Sequence, residues 1–224
     1  MPERIDGFSG APQSVYSDQF LTAERSAAMG YKLEVPPIHP VLAAITLPAY
    51  GAKHAGWMRE LAHMQVVIAL MRDGFDPRSA GGTVALRDDG TPLLDYPLND
   101  HFWEAARHAF ATMAQIQFAA GANVVMPVHA TGVSYRSWNE ARAGIAALPL
   151  APLVAPVFSA HVMGGSAFGP DPRRSAVDPN GRYHHLDNLY VLDGSLFPTS
   201  IGANPQLSIY AIVAKLASAL AAAL

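Results

Sequence analysis

The sequence contains no cysteine. Its absence excludes a disulfide scaffold, a thiolate zinc site, a cysteine nucleophile and a cysteine-ligated iron–sulfur cluster. Because chains without cysteine occur on either side of a membrane, this absence leaves the cellular compartment open.

Positive charge is also scarce. Fifteen Lys and Arg residues stand against 18 Asp and Glu residues, which gives the 224-residue chain a formal net charge of −3. The basic residues are scattered, whereas a protein that follows a phosphate backbone needs them clustered on one face. We therefore expect no nucleic-acid partner.

Neither a secretory leader nor a clear membrane segment is visible. Residues 1–20 carry charged residues near their start and no apolar run, so no signal peptide is expected and the cytoplasm is the expected location. The most apolar stretch, 207–224, contains Lys215 and relies on alanine, which is barely hydrophobic enough to span a bilayer. We therefore expect a buried helix there and no membrane partner.

Two loop motifs, one that binds nucleotides and one that carries a catalytic serine, are missing from the chain. A G-x-G-x-x-G loop would hold the pyrophosphate of a dinucleotide, and a G-x-S-x-G turn would expose a serine nucleophile. Neither spacing occurs, although Ser166, Ser195, Asp193 and His161 are all present. The missing turn disfavours a serine hydrolase.

The pattern of apolar residues predicts a mixture of helices and antiparallel strands. Asp-Gly between two extended runs predicts a hairpin, and the S-x-x-E spacing of Ser137 and Glu140 predicts a helix start. The predicted elements are a strand at 31–35 with a loop after Pro40, a helix at 53–71, a hairpin of 83–87 and 91–98 around Gly90, a helix at Asp100–Ala119 and a short helix that ends near Ala147. Helices that alternate with antiparallel hairpins favour an α+β domain.

From Ser159 onward, Gly, Pro, Asp, Asn and His are concentrated in loops around one short predicted strand, 188–192. This strand runs into Asp193, Gly194 and Ser195. Loops often carry functional residues, and open α/β sheets bind ligands beyond the carboxyl ends of their strands. The sequence therefore indicates a site near Asp193.

The dipeptide Asn204-Pro205 predicts the start of the last helix. Asn is a preferred N-cap, and Pro is favoured at the first helical position because its missing N–H would have no partner there. The positive end of this helix would favour a ligand group with negative charge, and Gly202 would let that ligand approach the backbone. A well-capped structural helix is the alternative interpretation.

The chain has nine histidines, and an arbitrary histidine more often has a structural or surface role than a catalytic one. His161 lies in the tight loop SAHVMGG, while His184-His185-Leu186-Asp187 looks like a metal-binding sequence only at first sight. Because adjacent side chains on a strand diverge and helical zinc ligands are spaced four residues apart, we interpret the second segment as a solvated turn and expect no metal.

Three segments, in this order along the chain, resemble the C-terminal signature of the glucose–methanol–choline (GMC) family of FAD-dependent oxidoreductases. They are SAHVMGG, SAVDPNGRYHHLDNLYVLDGSLFPTSIGANP and the helix that follows. Upstream, GGTVALRDDGTPLLDYPL, MAQIQFAAGA and PVHATG are similar, more loosely, to the substrate-binding half of bacterial members. The resemblance implies an antiparallel-sheet substrate-binding domain with helices at 1–158, partial at its N-terminus. It implies that residues 159–224 supply the C-terminal strand and helix of an incomplete, Rossmann-like FAD-binding domain.

The resemblance also implies residue roles. His161 matches the active-site histidine, the base that takes the hydroxyl proton as a hydride leaves the alcohol carbon for the flavin. Asn204 matches the second active-site position, which hydrogen-bonds the substrate oxygen. Contacts with the cofactor are implied for Asp193, Gly194, Ala203, Pro205 and Gln206.

The function expected from this resemblance is FAD-dependent oxidation of a small-molecule alcohol to a carbonyl compound, in a choline dehydrogenase-like enzyme. Because the chain lacks G-x-G-x-x-G, a nucleotide-binding half on missing sequence or on a partner polypeptide is expected, and the last helix is expected to present an apolar face to it. The alternative is a truncated, non-catalytic fragment that acts as a binding or interaction module.

Overall fold

The computed structural model describes residues 1–21, 28–75, 77–79 and 81–224. Two compact units are present: Met1–Met71 with Leu98–Phe158, and Arg72–Pro97 with Ser159–Leu224. The chain thus changes unit after residue 158, where the domain division was predicted, but residues 72–97 also belong with the C-terminal residues. The assignment of 1–158 to substrate binding and of 159–224 to cofactor binding stays a prediction.

The sheet of the first unit consists of β1 (Tyr16–Ser17), β2 (Tyr31–Glu34) and β3 (Ile68–Met71), in that order and antiparallel. The strand predicted at 31–35 is confirmed to within one residue. Tyr31 and Leu33 are buried, because alternate residues of a strand point to the same face.

The helix predicted over 53–71 is wrong in its second half. Helix α2 spans only Gly51–Arg59, and after a 3-10 helix at Leu61–His63 the chain forms β3. The β-branched residues at 66–68 favour an extended backbone, and β3 pairs with β2 along its whole length. A short apolar run fits the periodicity of a helix and that of a strand. Here the pairing with β2 makes it a strand.

A helix also forms where a loop was predicted. Helix α1 spans Pro40–Thr46 and has Pro40 at its start, where the missing N–H is tolerated. Its N-cap is His39, whose Nδ1 accepts a hydrogen bond from the N–H of Val41 at 3.2 Å. Histidine is not among the preferred N-cap residues, so the residues before Pro40 do not predict the start of a helix.

The long helix predicted at Asp100–Ala119 is confirmed as α3, with the same bounds. Asn99 caps it by accepting an N–H of the first turn at 3.1 Å, and Gly121, with φ +89°, follows its end. The Tyr31 hydroxyl of β2 contacts Nδ1 of His108 at 2.7 Å, which links the sheet to this helix. The buried residues around α3 include Met29, Phe102, Trp103, Ala105, Ala109 and Ala155.

Helix α4 spans Trp138–Ala147, and the capping interaction predicted for it is confirmed. Ser137 Oγ accepts the N–H of Glu140 at 3.3 Å, and the Glu140 carboxylate accepts the N–H of Arg136 at 2.9 Å. At the opposite end, the Arg107 guanidinium donates to three carbonyl oxygens at distances of 2.6, 3.2 and 2.7 Å. Both ends of α4 therefore have partners for groups that the helix itself leaves unpaired.

The hairpin predicted around Gly90 is confirmed in the second unit. Strand β4 (Thr83–Leu86) pairs antiparallel with β5 (Pro92–Asp95). Gly90 has φ +79°, a conformation that glycine adopts at low cost. Asp89 Oδ1 accepts the N–H and the hydroxyl of Thr91 at 2.9 and 2.6 Å, so the turn closes on its own polar groups.

The strand predicted at 188–192 is wrong. Among the described residues, this run makes only an isolated bridge, between Tyr190 and Arg182, and further backbone hydrogen bonds link it to Gly181 and Tyr183. These few bonds do not continue into a ladder. The run instead contributes to the buried cluster of the second unit, which consists of Val177, Leu196 and Leu216 with Ala176, Tyr183, Val191, Leu192 and Ile212 around it.

The last helix, α5, spans Gln206–Ala223. Its N-cap is Pro205 and not Asn204 as predicted. Pro205 has φ −89° and ψ −6°, and its carbonyl oxygen accepts the N–H of Ile209 at 2.9 Å. The helix therefore begins one residue later than the preference of asparagine for the N-cap indicates.

Helix α5 is mostly exposed in this chain. Leu216 is its only buried residue, whereas Leu207 and Tyr210 are 81% and 58% exposed. Within the described part of the chain, α5 is the one helix long and apolar enough to cross a membrane, by length and composition alone. The expectation of a buried helix is therefore wrong for this chain taken by itself, and an apolar face remains uncovered.

Two helical glycines give opposite predictions for one substitution. A Cβ at Gly144 in α4 would overlap the buried ring of Tyr135, whereas at Gly56 in α2 it would meet only the Arg59 guanidinium, at 3.9 Å. We expect Gly144→Ala to lower the free energy of unfolding by about 1–3 kcal/mol because Tyr135 must move. We expect Gly56→Ala to raise it by up to about 1 kcal/mol. Urea unfolding followed by circular dichroism measures both, and shifts of the same sign would contradict this packing.

Candidate active site

Asp193 and the residues after it form a tight turn in the second unit. A 3-10 helix spans Gly194–Leu196, and Asp193 Oδ1 accepts the N–H and the hydroxyl of Ser195 at 2.7 and 2.5 Å. The exposed Asp193 carboxylate thus caps its own turn. The Ser195 hydroxyl donates to it and is held as part of that cap.

Gly194 brings three predicted segments together. It is buried, and a Cβ at this position would lie 2.9 Å from the carbonyl oxygen of Val162 and 3.0 Å from Cδ1 of Ile209. Val162 follows His161 directly, and Ile209 belongs to the first turn of α5. A residue without a side chain fits between the Val162 carbonyl and the Ile209 side chain, where these three segments meet.

The loop after His161 follows the same turn for several residues. The N–H of Ser166 donates to the carbonyl oxygen of Ser195 at 3.1 Å, and the N–H of Phe168 donates to that of Leu196 at 3.2 Å. Two backbone hydrogen bonds therefore fix this loop against the Asp193 turn, in addition to the contact at Gly194.

His161 is half-buried, and the two glycines that follow shape its loop. Gly164 and Gly165 have φ +84° and +98°, in the region that favours glycine. A Cβ at Gly165 would meet no atom within 4 Å among the described residues. The backbone at Gly165 is therefore open to an approaching group.

The residues predicted around the start of α5 differ in exposure. Asn204 is exposed, Ala203 is half-buried and Pro205 is buried. Gln206 is exposed, and its Nε2 donates to the Tyr210 hydroxyl at 2.6 Å. The N-cap residue Pro205 makes no side-chain cap hydrogen bond, and the positive end of the helix dipole faces the segment that carries Asn204.

Sequence reasoning missed a loop at residues 72–75 that lies against this segment. Thr199 Oγ1 donates to the carbonyl oxygen of Gly74 at 3.0 Å, and a Cβ at Gly202 would lie 2.5 Å from Nε of Arg72. The loop follows the misassigned helix 53–71, and only Gly74 within it signals a turn. Its contacts join residues about 125 positions apart in the chain, which no local pattern reveals.

Tyr96 holds the same loop from the end of β5. Its hydroxyl donates to the carboxylate of Asp73, whose other oxygen accepts the N–H of Gly74 at 3.0 Å. Partial burial raises the pKa of Tyr96, and the hydrogen bond and negative charge of Asp73 raise it further. Tyr96 therefore remains a proton donor at neutral pH.

The histidine pair at 184–185 makes contacts within its own unit. His184 Nε2 lies 3.1 Å from both Ser175 Oγ and the carbonyl oxygen of Gly169, and the His185 ring packs edge-on against Tyr183. The described residues contain no group of three His, Cys, Asp or Glu side chains that could hold a metal ion.

Comparison with known proteins gives matches over most of the chain. The family described as GMC oxidoreductase matches residues 77–213. A long-chain-alcohol oxidase of Arabidopsis thaliana is 27% identical over 213 residues, which are 92% of this chain and 28% of that protein. A 6'''-hydroxyparomomycin C oxidase of Streptomyces lividus is 44% identical over 143 residues, 63% of this chain and 22% of that protein.

A shorter match covers the C-terminal signature. A cholesterol oxidase of Acinetobacter baumannii is 43% identical over 58 residues, 26% of this chain and 10% of that protein. The chain spans less than a third of the length of each of these relatives. Because the family match covers more than half of the chain, the chain belongs to the GMC oxidoreductase family.

Proposed function

We propose that this chain is the C-terminal part of a flavin-dependent enzyme that oxidises a CH–OH group of a small molecule to a carbonyl group. The contact at Gly194 carries this proposal, because it brings the segments of His161, Asp193 and Asn204 to one junction within the second unit. The family and the oxidase names of its relatives support the reaction class.

The residues at this junction fit a bound FAD. The start of α5 carries the positive end of the helix dipole, which favours a ligand group with negative charge. The backbone at Gly165 is open, so no Cβ obstructs a ligand there. FAD, when bound, accepts a hydride, which no ordinary side chain does. The residues that we assign to holding it are Asp193, Gly194, Ala203, Pro205 and Gln206.

Asp193 has a narrower role in this proposal than its sequence position indicates. A carboxylate accepts hydrogen bonds from hydroxyl groups and is repelled by phosphate. Its Oδ1 already accepts two hydrogen bonds from Ser195. We therefore assign the other oxygen to the hydroxyls of the ribityl chain and not to the phosphates.

Two side chains act on the alcohol itself. A neutral imidazole can accept a proton at one ring nitrogen, so His161 takes the proton of the substrate hydroxyl. The Asn204 amide donates a hydrogen bond to the same oxygen and orients it. The positive end of the α5 dipole stabilises negative charge that develops beside it.

A nucleotide-binding half completes the enzyme. The chain has no G-x-G-x-x-G loop, it spans less than a third of the length of its relatives, and α5 exposes an apolar face. We propose that this face belongs to an incomplete, Rossmann-like FAD-binding domain whose remainder lies on another segment or polypeptide, and we retain the cytoplasm as its proposed location.

The relatives support the class of donor and no narrower substrate. Their names contain a long-chain alcohol, cholesterol and 6'''-hydroxyparomomycin C. We therefore propose a small-molecule alcohol as the substrate, and the choline dehydrogenase-like specificity stays a prediction. The alternative of a non-catalytic module is not favoured, because both His161 and Asn204 retain the family pattern.

Our first functional prediction concerns cofactor affinity. The purified 224-residue chain should be colourless and bind FAD weakly, because the loop that grips the pyrophosphate is absent. Joining it to a GMC nucleotide-binding half should give stoichiometric flavin with absorbance near that of other flavoproteins. Titration of FAD followed by absorbance and calorimetry measures both, and a yellow preparation of the chain alone would refute the missing-half proposal.

The second functional prediction concerns the base. In the completed enzyme, His161→Ala should lower kcat for alcohol oxidation by about 10²–10⁴-fold while flavin content stays unchanged. His185→Ala is the matched control, since His185 is exposed and its ring packs against Tyr183 of the same unit. Unchanged turnover in His161→Ala would remove His161 from the role of base.

A further inference from the structure

The loop at 72–75 is held by a pair of side chains outside the site already described. Asp73 accepts the hydroxyl of Tyr96 with one oxygen and the N–H of Gly74 with the other. Tyr96 follows β5 directly, so its hydrogen bond to Asp73 connects the loop to the β4–β5 hairpin. We call residues 72–75 the support loop.

The support loop contacts the residues that precede α5 at two points. At the first, Thr199 Oγ1 donates to the carbonyl oxygen of Gly74 at 3.0 Å. Gly74 has φ +92°, and a Cβ there would overlap the Thr199 hydroxyl. The backbone of the loop therefore lies directly against Thr199, with no side chain between them.

The second point of contact is Gly202. It is buried with φ +69°, and a Cβ there would lie 2.5 Å from Nε of Arg72 and 2.7 Å from Cε2 of Phe75. The Arg72 guanidinium lies over the Phe75 ring, 4.2 Å from its centre, so the two side chains pack together in a cation–π contact. The N–H of Gly202 also donates to Ser200 Oγ at 3.1 Å, which tightens the turn that packs against Arg72 and Phe75.

Asn204 lies only two residues beyond Gly202. Since consecutive Cα atoms are about 3.8 Å apart, a shift at Gly202 reaches Asn204 with little room for the chain to absorb it. On the other side, Asn204 is followed by the buried Pro205 and by α5. The support loop therefore constrains the backbone at Thr199 and Gly202, just before Asn204.

We propose that Asp73 and Tyr96 are positioning residues, which fix Asn204 through the contacts of the support loop with Thr199 and Gly202. This inference rests on the proposed function, because it assigns the held segment to substrate binding. The Tyr96 hydroxyl stays protonated at neutral pH and its raised pKa keeps it a donor to Asp73.

The first test does not depend on activity. In the 224-residue chain, Tyr96→Phe should increase amide hydrogen exchange at 199–204 by about tenfold, because it removes the hydrogen bond that holds the support loop. Thr199→Val should do the same, while Thr199→Ser, which keeps the hydroxyl, should not. Tyr31→Phe is the matched control, since it removes a phenol hydrogen bond to His108 in the other unit. Equal exchange at 199–204 in Tyr96→Phe and wild type would overturn the proposal.

The second test asks whether Tyr96 acts through Asn204. In the completed enzyme, Tyr96→Phe should lower kcat/KM by about tenfold with unchanged flavin content, and in an Asn204→Ala background it should cause almost no further loss. Losses that multiply independently would show that Tyr96 does not act through Asn204 and would overturn the proposal. An Asn204→Ala variant with full activity would instead refute the role of Asn204 in the proposed function, while the exchange experiment would still test the positioning contact.

Discussion

The second unit depends on a close approach of backbone segments at Gly194. The carbonyl oxygen of Val162 and the side chain of Ile209 leave no volume for a Cβ there, so any larger residue would separate the loop of His161 from the start of α5. Hydrogen bonds from Ser166 and Phe168 to the neighbouring turn depend on the same approach. Because Gly194 has no side chain, the loop of His161, the Asp193 turn and the start of α5 lie close together, which a larger residue there would prevent.

Glycine plays the same part at two further points of this unit. At Gly74 and Gly202 the backbone takes a positive φ and lies against Thr199, Arg72 and Phe75 without intervening side chains. The buried apolar cluster of the unit is small, with Val177, Leu196 and Leu216 at its centre. Close backbone packing and side-chain caps, such as that of Asp193, therefore supply much of the order that a large core supplies elsewhere.

Helix α5 is held by contacts at its start but leaves apolar side chains exposed. Its first turn is fixed by Pro205 and by the contact of Ile209 with Gly194. The same helix exposes the apolar side chains of Leu207 and Tyr210, and Leu216 is its one buried residue. An apolar helix of this kind gains most of its stability from packing. Its exposure is consistent with a chain that spans less than a third of the length of the long-chain-alcohol oxidase.

The sequence by itself determined the features whose signal is local. The capped helices α3 and α4, the hairpin at Gly90 and the family signature around His161 and Asn204 all follow from residues that are neighbours in the chain. Tertiary structure decided the features whose partners are distant: residues 68–71 became a strand because they pair with β2, and 188–192 stayed outside any strand because no ladder continues there. It alone placed the loop of Arg72 to Phe75 beside Gly202. A contact across about 125 residues leaves no period in the sequence, because its geometry exists only once both segments have folded.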